Sequence, residues 1–267
     1  MSKRKQLPVT LTIAGSDSGG GAGIQADLKT FAALGVHGAS AIACLTAQNP
    51  RRVLGIEPVS PKMLRRQIAA VFAELNPAAV KTGMLFSAEN VRVVATFFRN
   101  LKLKTQNSKL VVDPVWISTS GARLLEPAAI KILQEKLLPL ATLVTPNLDE
   151  TEILIGRKPA SVEKMRESAR IIYSRFGCAA LVKGGHLRSS REAVDIFFDG
   201  KTELLLSAPF VNGLRTHGTG CTYSAAICAA LALGHDLPQA VQIGKDFVTA
   251  AISRSYKIGK HFALGHF

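Results

Sequence analysis

The sequence has few cysteines and few aromatic residues, and it has no apolar run of the roughly 18 residues that a membrane helix needs. Its four cysteines among 267 residues show no C-x-x-C spacing, which argues against a disulfide framework and a structural zinc site. Aromatic residues make up 6% of the chain, too few for a base-stacking surface. The segment Leu7–Ala14 after the basic start is too short and too polar for a signal peptide. These absences predict a cytoplasmic protein.

Acidic residues are also scarce, with 19 against 33 basic residues and a formal net charge of +14. Such an excess is compatible with nucleic acid or with a polyanionic substrate. The basic residues are dispersed in pairs such as Arg51–Arg52 and Arg65–Arg66, with no run of five. We therefore predict a basic soluble enzyme with no specific nucleic-acid partner and no membrane association.

Two common nucleotide-binding motifs are missing. No G-x-x-x-x-G-K-[ST] sequence occurs, which excludes a Walker A loop. The loop Gly15–Gly23 does not fit a dinucleotide fingerprint, because glycines 19 and 21 would need a glycine at position 24, which is Ile24. The loop alone is as compatible with a tight strand-to-helix turn as with a ligand close to the backbone.

Short apolar segments alternate with amphipathic ones along the whole chain. Strand-like segments lie at Leu7–Ala14, Ala39–Leu45, Ala78–Lys81, Leu110–Val112, Thr142–Val144 and Ala179–Val182, with a hairpin formed by Ala193–Phe198 and Glu203–Leu206. Helical patterns lie at Ile24–Leu34, Pro61–Glu74, Ala88–Leu101, Pro127–Leu137, Val162–Phe176, Cys221–Leu233 and Leu237–Tyr256. This order predicts a three-layer α/β sandwich, in which helices flank a mainly parallel central sheet. No linker or repeat interrupts residues 1–267, so one domain is expected, with ligands beyond the carboxyl ends of the strands.

The segment from Thr216 to Cys221 leads into an alanine-rich helix and carries two glycines, Gly218 and Gly220, around Thr219. Amides in the first turn of a helix lack partners within it, and the helix dipole adds positive charge, so this is a candidate anion site. A thiol in such a position is expected to ionise below its usual pKa of about 8.5. The alternative is a small core residue at a helix start. The other cysteines lie in apolar surroundings and are predicted to be buried: Cys44, Cys178 and Cys228.

Polar side chains follow three further predicted strands. Asn147 and Glu150 fit either a helix capping box or a pair of oxygen ligands for Mg²⁺. Lys183 precedes a glycine pair and either compensates phosphate charge or is a solvated strand-end lysine. Asp113 places a carboxylate directly after another strand.

Together these motifs resemble the hydroxymethylpyrimidine/phosphomethylpyrimidine kinase family, which has a ribokinase-like fold. The resemblance rests on segments that occur in this order over essentially the whole chain: Thr12–Asp17, Gly20–Thr30, Ala47–Asn49, Lys81–Leu85, Asp113, Thr145–Asn147, Lys183–His186 and His217–Thr222. The first long run and the Gly-Thr-Gly-Cys block are the most specific of them.

The resemblance implies an ATP-dependent kinase of thiamine biosynthesis that uses Mg²⁺ and forms a homodimer. It would phosphorylate 4-amino-5-hydroxymethyl-2-methylpyrimidine to its monophosphate and then to its pyrophosphate. Cys221 matches the family's catalytic base, in a block where the backbone of Gly218, Thr219 and Gly220 would stabilise transferred charge. The resemblance implies further site residues, namely Gly15, Asp27, Gln48, Met84 and Val115 for the pyrimidine, Lys183 and Thr216 for ATP, and Asp113, Asn147 and Glu150 for the metal.

Two alternatives and one departure remain. Pyridoxal kinases of the same subfamily share the cysteine block, although Gln48 and Met84 favour the pyrimidine. A non-catalytic ligand sensor or nucleic-acid-binding protein on the same fold would show no ATP turnover and a salt-sensitive affinity for DNA. The ending Ile258–Phe262 lacks the fuller Gly/His-rich sequence of the family, which puts contacts from the tail in doubt.

Overall fold

A computed structural model describes residues 6–103, 108–117, 124–185, 187, 192–211 and 217–267. Its central feature is a nine-stranded sheet with the strand order β3-β2-β1-β4-β5-β6-β7-β8-β9. The strands are β1 Val9–Asp17, β2 His37–Asn49, β3 Arg52–Pro58, β4 Ala79–Thr82, β5 Lys109–Val112, β6 Leu143–Val144, β7 Ala179–Lys183, β8 Glu192–Phe198 and β9 Glu203–Pro209. A separate two-stranded ribbon joins β10 Tyr256–Ile258 to β11 His261–Ala263.

The centre of the sheet is parallel and both of its edges are antiparallel. Strands β2, β1, β4, β5, β6 and β7 run parallel, whereas β3 pairs antiparallel with β2, and β8 and β9 form the predicted hairpin beside β7. This arrangement confirms the predicted mainly parallel α/β sheet. The carboxyl ends of the six parallel strands lie along the same side of the sheet, where loops and ligand sites of such folds gather.

Eight α-helices are described: α1 Gly23–Ala33, α2 Pro61–Glu74, α3 Ala88–Leu103, α4 Pro127–Ile132, α5 Leu148–Ile155, α6 Val162–Phe176, α7 Thr219–Ala232 and α8 Leu237–Ser253. The sequence predicts α2 and α6 to the residue because their ends carry strong signals. Ser60 caps α2 before a proline, and Ser161 caps α6, which ends at Gly177 with a left-handed φ of 71°.

Side chains that alternate along the strands enter two apolar layers. Val80, Leu110 and Val112 pack with α2 to α6 on one face, while Ala79 and Val111 pack with α1, α7 and α8 on the other. Every residue of α7 from position 222 to 232 is buried, so this helix is enclosed rather than amphipathic. Its N-terminus therefore has a fixed position relative to the strand ends.

Four features differ from the sequence prediction. β1 continues to Asp17, through part of the predicted glycine-rich loop. β3 and the β10–β11 ribbon were not predicted, since both are short and mostly exposed. The predicted helix Pro127–Leu137 changes from α-helix to π-helix at Leu133. None of the described helices is long and apolar enough to cross a membrane.

Candidate active site

The carboxyl ends of five parallel strands and the N-terminus of α7 meet on one side of the sheet. The polar residues gathered there come from β1 and its loop, β4, β5, the turn after β6, β7 and α7; they are Asp17, Lys81, Asp113, Asn147, Lys183 and Cys221. The topology thus brings together side chains that are far apart in the sequence.

The glycine-rich loop after β1 folds around its own carboxylate. Asp17 accepts hydrogen bonds from the backbone N–H groups of Gly19, Gly21 and Ala22, at 2.7–3.1 Å. These amides therefore stabilise the turn, in agreement with the turn alternative. The loop contacts the start of α7: a Cβ added at Gly218, which has a φ of +82°, would lie 1.9 Å from the carbonyl oxygen of Gly21. Only glycine fits there without a backbone shift.

Cys221 lies half-buried in the first turn of α7. The charges of the buried Lys81–Asp27 ion pair act on its thiol. The position at a helix N-terminus predicts a lowered thiol pKa, and this prediction is wrong. Burial raises the pKa of Cys221 to about 11, although Lys81 and a backbone hydrogen bond from Gly23 both favour the thiolate. Loss of hydration outweighs these contributions, so the thiol is protonated at neutral pH.

Asp27, which the resemblance implies for the pyrimidine, is bonded within the protein. Its side chain is fully buried, with Lys81 Nζ at 2.8 and 2.9 Å from its two oxygens and the Thr12 hydroxyl donating at 2.6 Å. Both oxygens are thus engaged by Lys81 and Thr12, and the contact of Asp27 with the pyrimidine stays a prediction. Lys81 was not predicted as a site residue. The sequence does carry a sign of its role, a lysine inside the apolar strand β4, because a buried lysine needs an acidic partner.

Lys183 and Asp113 form a second ion pair, which lies directly at the start of α7. Lys183 Nζ is 2.9 Å from Asp113 Oδ1, and this oxygen also accepts a 3.0 Å hydrogen bond from Thr145. A Cβ added at Gly220 would lie 3.2 Å from Lys183 Nζ and 3.8 Å from Asp113 Oδ2. The pair holds the pKa of Asp113 below and that of Lys183 above the usual range, since each charge stabilises the other. Both groups are thus charged next to the helix N-terminus.

Asn147 and Glu150 form the capping box that the sequence offers as one of two interpretations. Asn147 Oδ1 accepts from Glu150 N–H at 2.9 Å, and Glu150 Oε2 accepts from Asn147 N–H at 2.8 Å. Burial, together with the nearby Asp113 carboxylate, raises the pKa of Glu150 to about 8 despite the opposing effect of Lys183. Since Lys183 is already paired with Asp113, Glu150 is largely protonated at neutral pH.

This donor set fits Mg²⁺ that is held largely through water and phosphate oxygens. Within the described part of the chain, no group of three or more His, Cys, Asp or Glu side chains is arranged as a metal cage. A cage is not required, because Mg²⁺ in phosphoryl-transfer sites commonly uses one or two carboxylates.

A small apolar cluster around Cys44, Met84 and Leu124 packs at the same end of the sheet. A Cβ on Gly15 would lie 2.8 Å from Cys44 Sγ and 3.3 Å from Met84 Sδ, and the partly buried Val115 packs in the same cluster. Gln48 and His217 lie against the glycine-rich loop, where Gln48 Nε2 is 3.0 Å from His217 Nε2. The structure thus brings together three of the five predicted pyrimidine contacts, Gly15, Met84 and Val115. Gly15 is the tightest point, where a larger side chain would displace the two sulfur atoms.

The predicted ATP contact Thr216 and the motif residue His186 lie outside the described residues. Cys44, Cys178 and Cys228 are buried as predicted, and burial raises the pKa of Cys44 and Cys178 to about 12. Burial also raises the pKa of Cys228, so none of these three thiols is available as a thiolate at neutral pH, and Cys221 is the one cysteine of the described residues that is not buried.

Comparison with known proteins gives a consistent result. The family model described as phosphomethylpyrimidine kinase matches residues 17–266. A curated hydroxymethylpyrimidine/phosphomethylpyrimidine kinase from Rhizobium meliloti is 49% identical, covering 94% of this chain and 92% of the relative. Its counterpart from Bacillus subtilis is 41% identical, covering 96% of this chain and 94% of the relative.

The similar solved structures include pyridoxal kinases and phosphomethylpyrimidine kinases, the two kinds of kinase considered from the sequence. A Bacillus subtilis pyridoxal kinase in complex with ADP superposes with a TM-score of 0.87 at 35% identity, covering 98% of each chain. A phosphomethylpyrimidine kinase from Clostridium difficile has a TM-score of 0.79 at 42% identity, covering 92% of this chain and 99% of the other. Since sequence and structure agree over nearly the whole chain, this protein belongs to the phosphomethylpyrimidine kinase family.

Proposed function

We propose that this chain, acting as a single kinase domain, transfers phosphoryl groups from ATP to 4-amino-5-hydroxymethyl-2-methylpyrimidine and then to its monophosphate. The observation that carries the proposal is the contact between the Lys183–Asp113 ion pair and Gly220 at the start of α7. This contact joins a fixed cation to a helix N-terminus, and the apolar cluster with Met84 and Val115 lies at the same end of the sheet; phosphoryl transfer to a small alcohol needs such a cation and such amides.

The donor phosphates are held by the positive groups of the site. Lys183 compensates phosphate charge, and the first-turn amides of α7 in the block Gly218–Cys221 stabilise the equatorial oxygens of the transferring group. Thr219 and Thr216 contribute to this block and to the nucleotide contact. Positioning and electrostatic stabilisation supply most of the rate in such transfers.

The acceptor alcohol occupies the pocket formed by Gly15, Met84 and Val115. Gln48 hydrogen-bonds the polar edge of the ring. Cys221, in its thiolate form, accepts the proton of the hydroxymethyl group. Because the thiol is protonated at neutral pH, only a small fraction of the enzyme is competent as a base. Lys81 lies close enough to favour the thiolate electrostatically.

Asp113, Asn147 and Glu150 would hold Mg²⁺ in this proposal. When bound, the metal neutralises charge on the donor phosphates and orients them. The raised pKa of Glu150 beside Asp113 supports this assignment, since a bound cation would lower that pKa and favour the carboxylate.

We propose further that the chain is a homodimer whose contact is the β2–β3 arm. This edge of the sheet exposes two leucines, Leu45 at 49% and Leu54 at 61%. Leu54 lies on the edge strand β3 and Leu45 on the adjacent strand β2; exposed leucines at the edge of a sheet are typical of a surface that meets another chain.

The test of the activity is ADP release with the pyrimidine alcohol and with pyridoxal, measured side by side at equal enzyme concentration. We expect kcat/KM to be at least about ten-fold higher for the pyrimidine, a difference of about 1.4 kcal/mol in transition-state binding. Formation of both the monophosphate and the pyrophosphate is followed by anion-exchange chromatography. The absence of ATP turnover with either alcohol would overturn the proposal.

Pyridoxal phosphorylation is the second candidate, favoured by the TM-scores of 0.86–0.87 to solved pyridoxal kinases. The similarity concerns the whole fold and does not distinguish between the pyrimidine alcohol and pyridoxal as the acceptor. A higher kcat/KM for pyridoxal in the same assay would make this the principal activity.

A further inference from the structure

The last residues of the chain are packed against the helix that carries Cys221. After β11, Leu264 is buried, and the N–H of Gly265 donates a 3.0 Å hydrogen bond to the carbonyl of Ala251 in α8. A Cβ on Gly265 would lie 2.3 Å from the carbonyl oxygen of Arg254, so the two backbones are in close contact. His266 follows, 6% exposed, and reaches the first turn of α7.

The hydrogen bonds of His266 have a defined direction. Its Nδ1 lies 3.1 Å from the carbonyl oxygen of Leu264, which only accepts, so Nδ1 carries the proton. In the neutral ring Nε2 is then an acceptor, and it lies 3.1 Å from the Thr222 hydroxyl. Burial and the nearby Lys29 lower the pKa of His266, which keeps the ring neutral. The Thr222 hydroxyl therefore donates to His266.

This use of the Thr222 hydroxyl differs from that of other helical hydroxyls in the described structure. Five of them donate to the carbonyl four residues earlier in their own helix: Thr30, Thr151, Ser168, Ser224 and Thr249. Thr151 occupies the equivalent place in α5, and both its hydroxyl and its backbone N–H donate to the N-cap Asn147. In α7 the N-cap Gly218 accepts the Thr222 backbone N–H at 2.9 Å, while the hydroxyl lies against His266. A second donor on the same carbonyl tends to bend a helix. His266 instead draws the hydroxyl away from the helix.

We infer that His266 is a positioning residue for phosphoryl transfer: by accepting the Thr222 hydroxyl it fixes the first turn of α7, where Gly220 and Cys221 lie. The inference rests on the proposed kinase function and assigns the C-terminal tail a part in it. His266 acts through Thr222 and touches no reacting atom. The physical reason for an effect on rate is that small displacements of positioned groups are costly in catalysis, with losses of about a hundred-fold for about 1 Å.

The experiment compares Thr222→Val, which keeps the shape and removes the hydroxyl, with His266→Leu and with the double variant. We expect each single variant to lower kcat about ten-fold with both KM values within about two-fold, the pattern of an interaction that matters in the transition state. The double variant should be no slower than the worse single variant, since both changes remove the same hydrogen bond. His266→Gln, which retains an acceptor, should restore most of kcat.

Circular dichroism and thermal unfolding establish that each variant is folded. If His266→Leu does not fold, the comparison of Thr222→Val with His266→Gln decides the question. Unchanged kcat in Thr222→Val overturns the inference, as does a double variant whose loss equals the product of the two single losses. A change in melting temperature alone, with kcat preserved, identifies a purely structural contact and also overturns it.

The matched control is deletion of Phe267, which is 80% exposed and ends the chain after His266. This truncation should leave kcat and both KM values unchanged. All variants are assayed with the alcohol that the wild type phosphorylates. A wild type that phosphorylates neither alcohol contradicts the proposed function, whereas an active wild type with unaffected variants contradicts only the role of His266.

Discussion

At the scale of single residues, the ionisation of Cys221 decides how the proposed base depends on pH. Its pKa is raised to about 11 by burial. Below that value, the thiolate fraction increases about ten-fold with each unit by which the pH rises. If the thiolate accepts the substrate proton, log kcat should rise with a slope near 1 between about pH 7 and about pH 9. The measurement is single-turnover ADP formation across this range.

The matched variants for this prediction are Cys221→Ser and Cys221→Ala. Serine has a higher pKa and keeps the size of the side chain, so we expect a large loss of rate with residual activity. Cys221→Ala leaves the amides of α7 in place, and its kcat should not rise with pH between about pH 7 and about pH 9. A wild-type rate that is flat over the same range would show that the protonated thiol is sufficient.

Glu150 offers a test of the metal assignment that does not depend on turnover. ADP with Mg²⁺ should raise the melting temperature more than ADP with a chelator, because ligand that binds only the folded state stabilises it. Glu150→Gln keeps a capping-box acceptor and should lose this metal-dependent increment. The exposed neighbour Asp149, changed to Asn, serves as control and should retain it; equal increments in both variants would exclude Glu150.

The residues that the sequence predicts correctly are those whose neighbours are close in the chain. Cys44 and Cys178 are buried because their flanking residues are apolar, and the capping box follows from the spacing of Asn147 and Glu150. The thiol pKa of Cys221 was mispredicted because the helix N-terminus is visible in the sequence, whereas the burial that outweighs it is tertiary. The engagement of Asp27 by Lys81, 54 positions away, is hidden for the same reason.

At the scale of elements, the junction between the glycine-rich loop and α7 is the feature most sensitive to substitution. Gly218→Ala places a methyl group against the Gly21 carbonyl and adds a left-handed strain of about 1–2 kcal/mol. We expect kcat to fall by more than about ten-fold, since the first turn of α7 must move. The check is steady-state kinetics together with urea unfolding.

Gly234 provides the matched control for this change, just beyond the other end of the same helix. Its φ is +95°, yet a Cβ there would have no neighbour within 4 Å. Gly234→Ala should therefore share the backbone strain, with a similar loss of stability, and retain kcat. If both variants lose activity equally, strain rather than the contact with Gly21 is responsible.

Elements are predictable where hydrophobic periodicity and end signals coincide, as in α2 and α6. They are missed where pairing rather than composition defines them. β3 contains Gly55 and exposed residues and is a strand because it pairs with β2. The β10–β11 ribbon likewise depends on cross-strand partners, and so do the positions of Leu264 and His266 that follow it.

At the scale of the whole molecule, the proposed dimer contact is tested by changing its exposed leucines. Leu54→Asp should weaken self-association, because a charge would be buried in the contact. Sedimentation velocity over a concentration range should show a shift towards monomer. Leu205→Asp is the control, since Leu205 is similarly exposed at 48% but lies on β9 at the opposite edge of the sheet. A wild type that is monomeric at all concentrations would contradict the proposal.

The net charge of +14 has a consequence for kinetics that separates the two proposed substrates. The pyrimidine alcohol carries no phosphate, whereas its monophosphate is an anion, and both are proposed to react at the same site. A positive protein raises the encounter rate of an anion, and salt screens this attraction because the Debye length falls from about 30 Å at 0.01 M to about 3 Å at 1 M. The two acceptors should therefore respond differently to salt.

We expect kcat/KM for the monophosphate, at saturating ATP, to fall several-fold as KCl is raised from about 0.02 M to about 0.5 M, while kcat/KM for the alcohol stays within about two-fold. Each acceptor serves as the control for the other, since protein, nucleotide and ring are the same. Equal slopes for the two would show that the excess of basic residues does not act on the substrate. The dispersed basic residues, which are not accompanied by a surface of aromatic residues, would then be attributed to solubility alone.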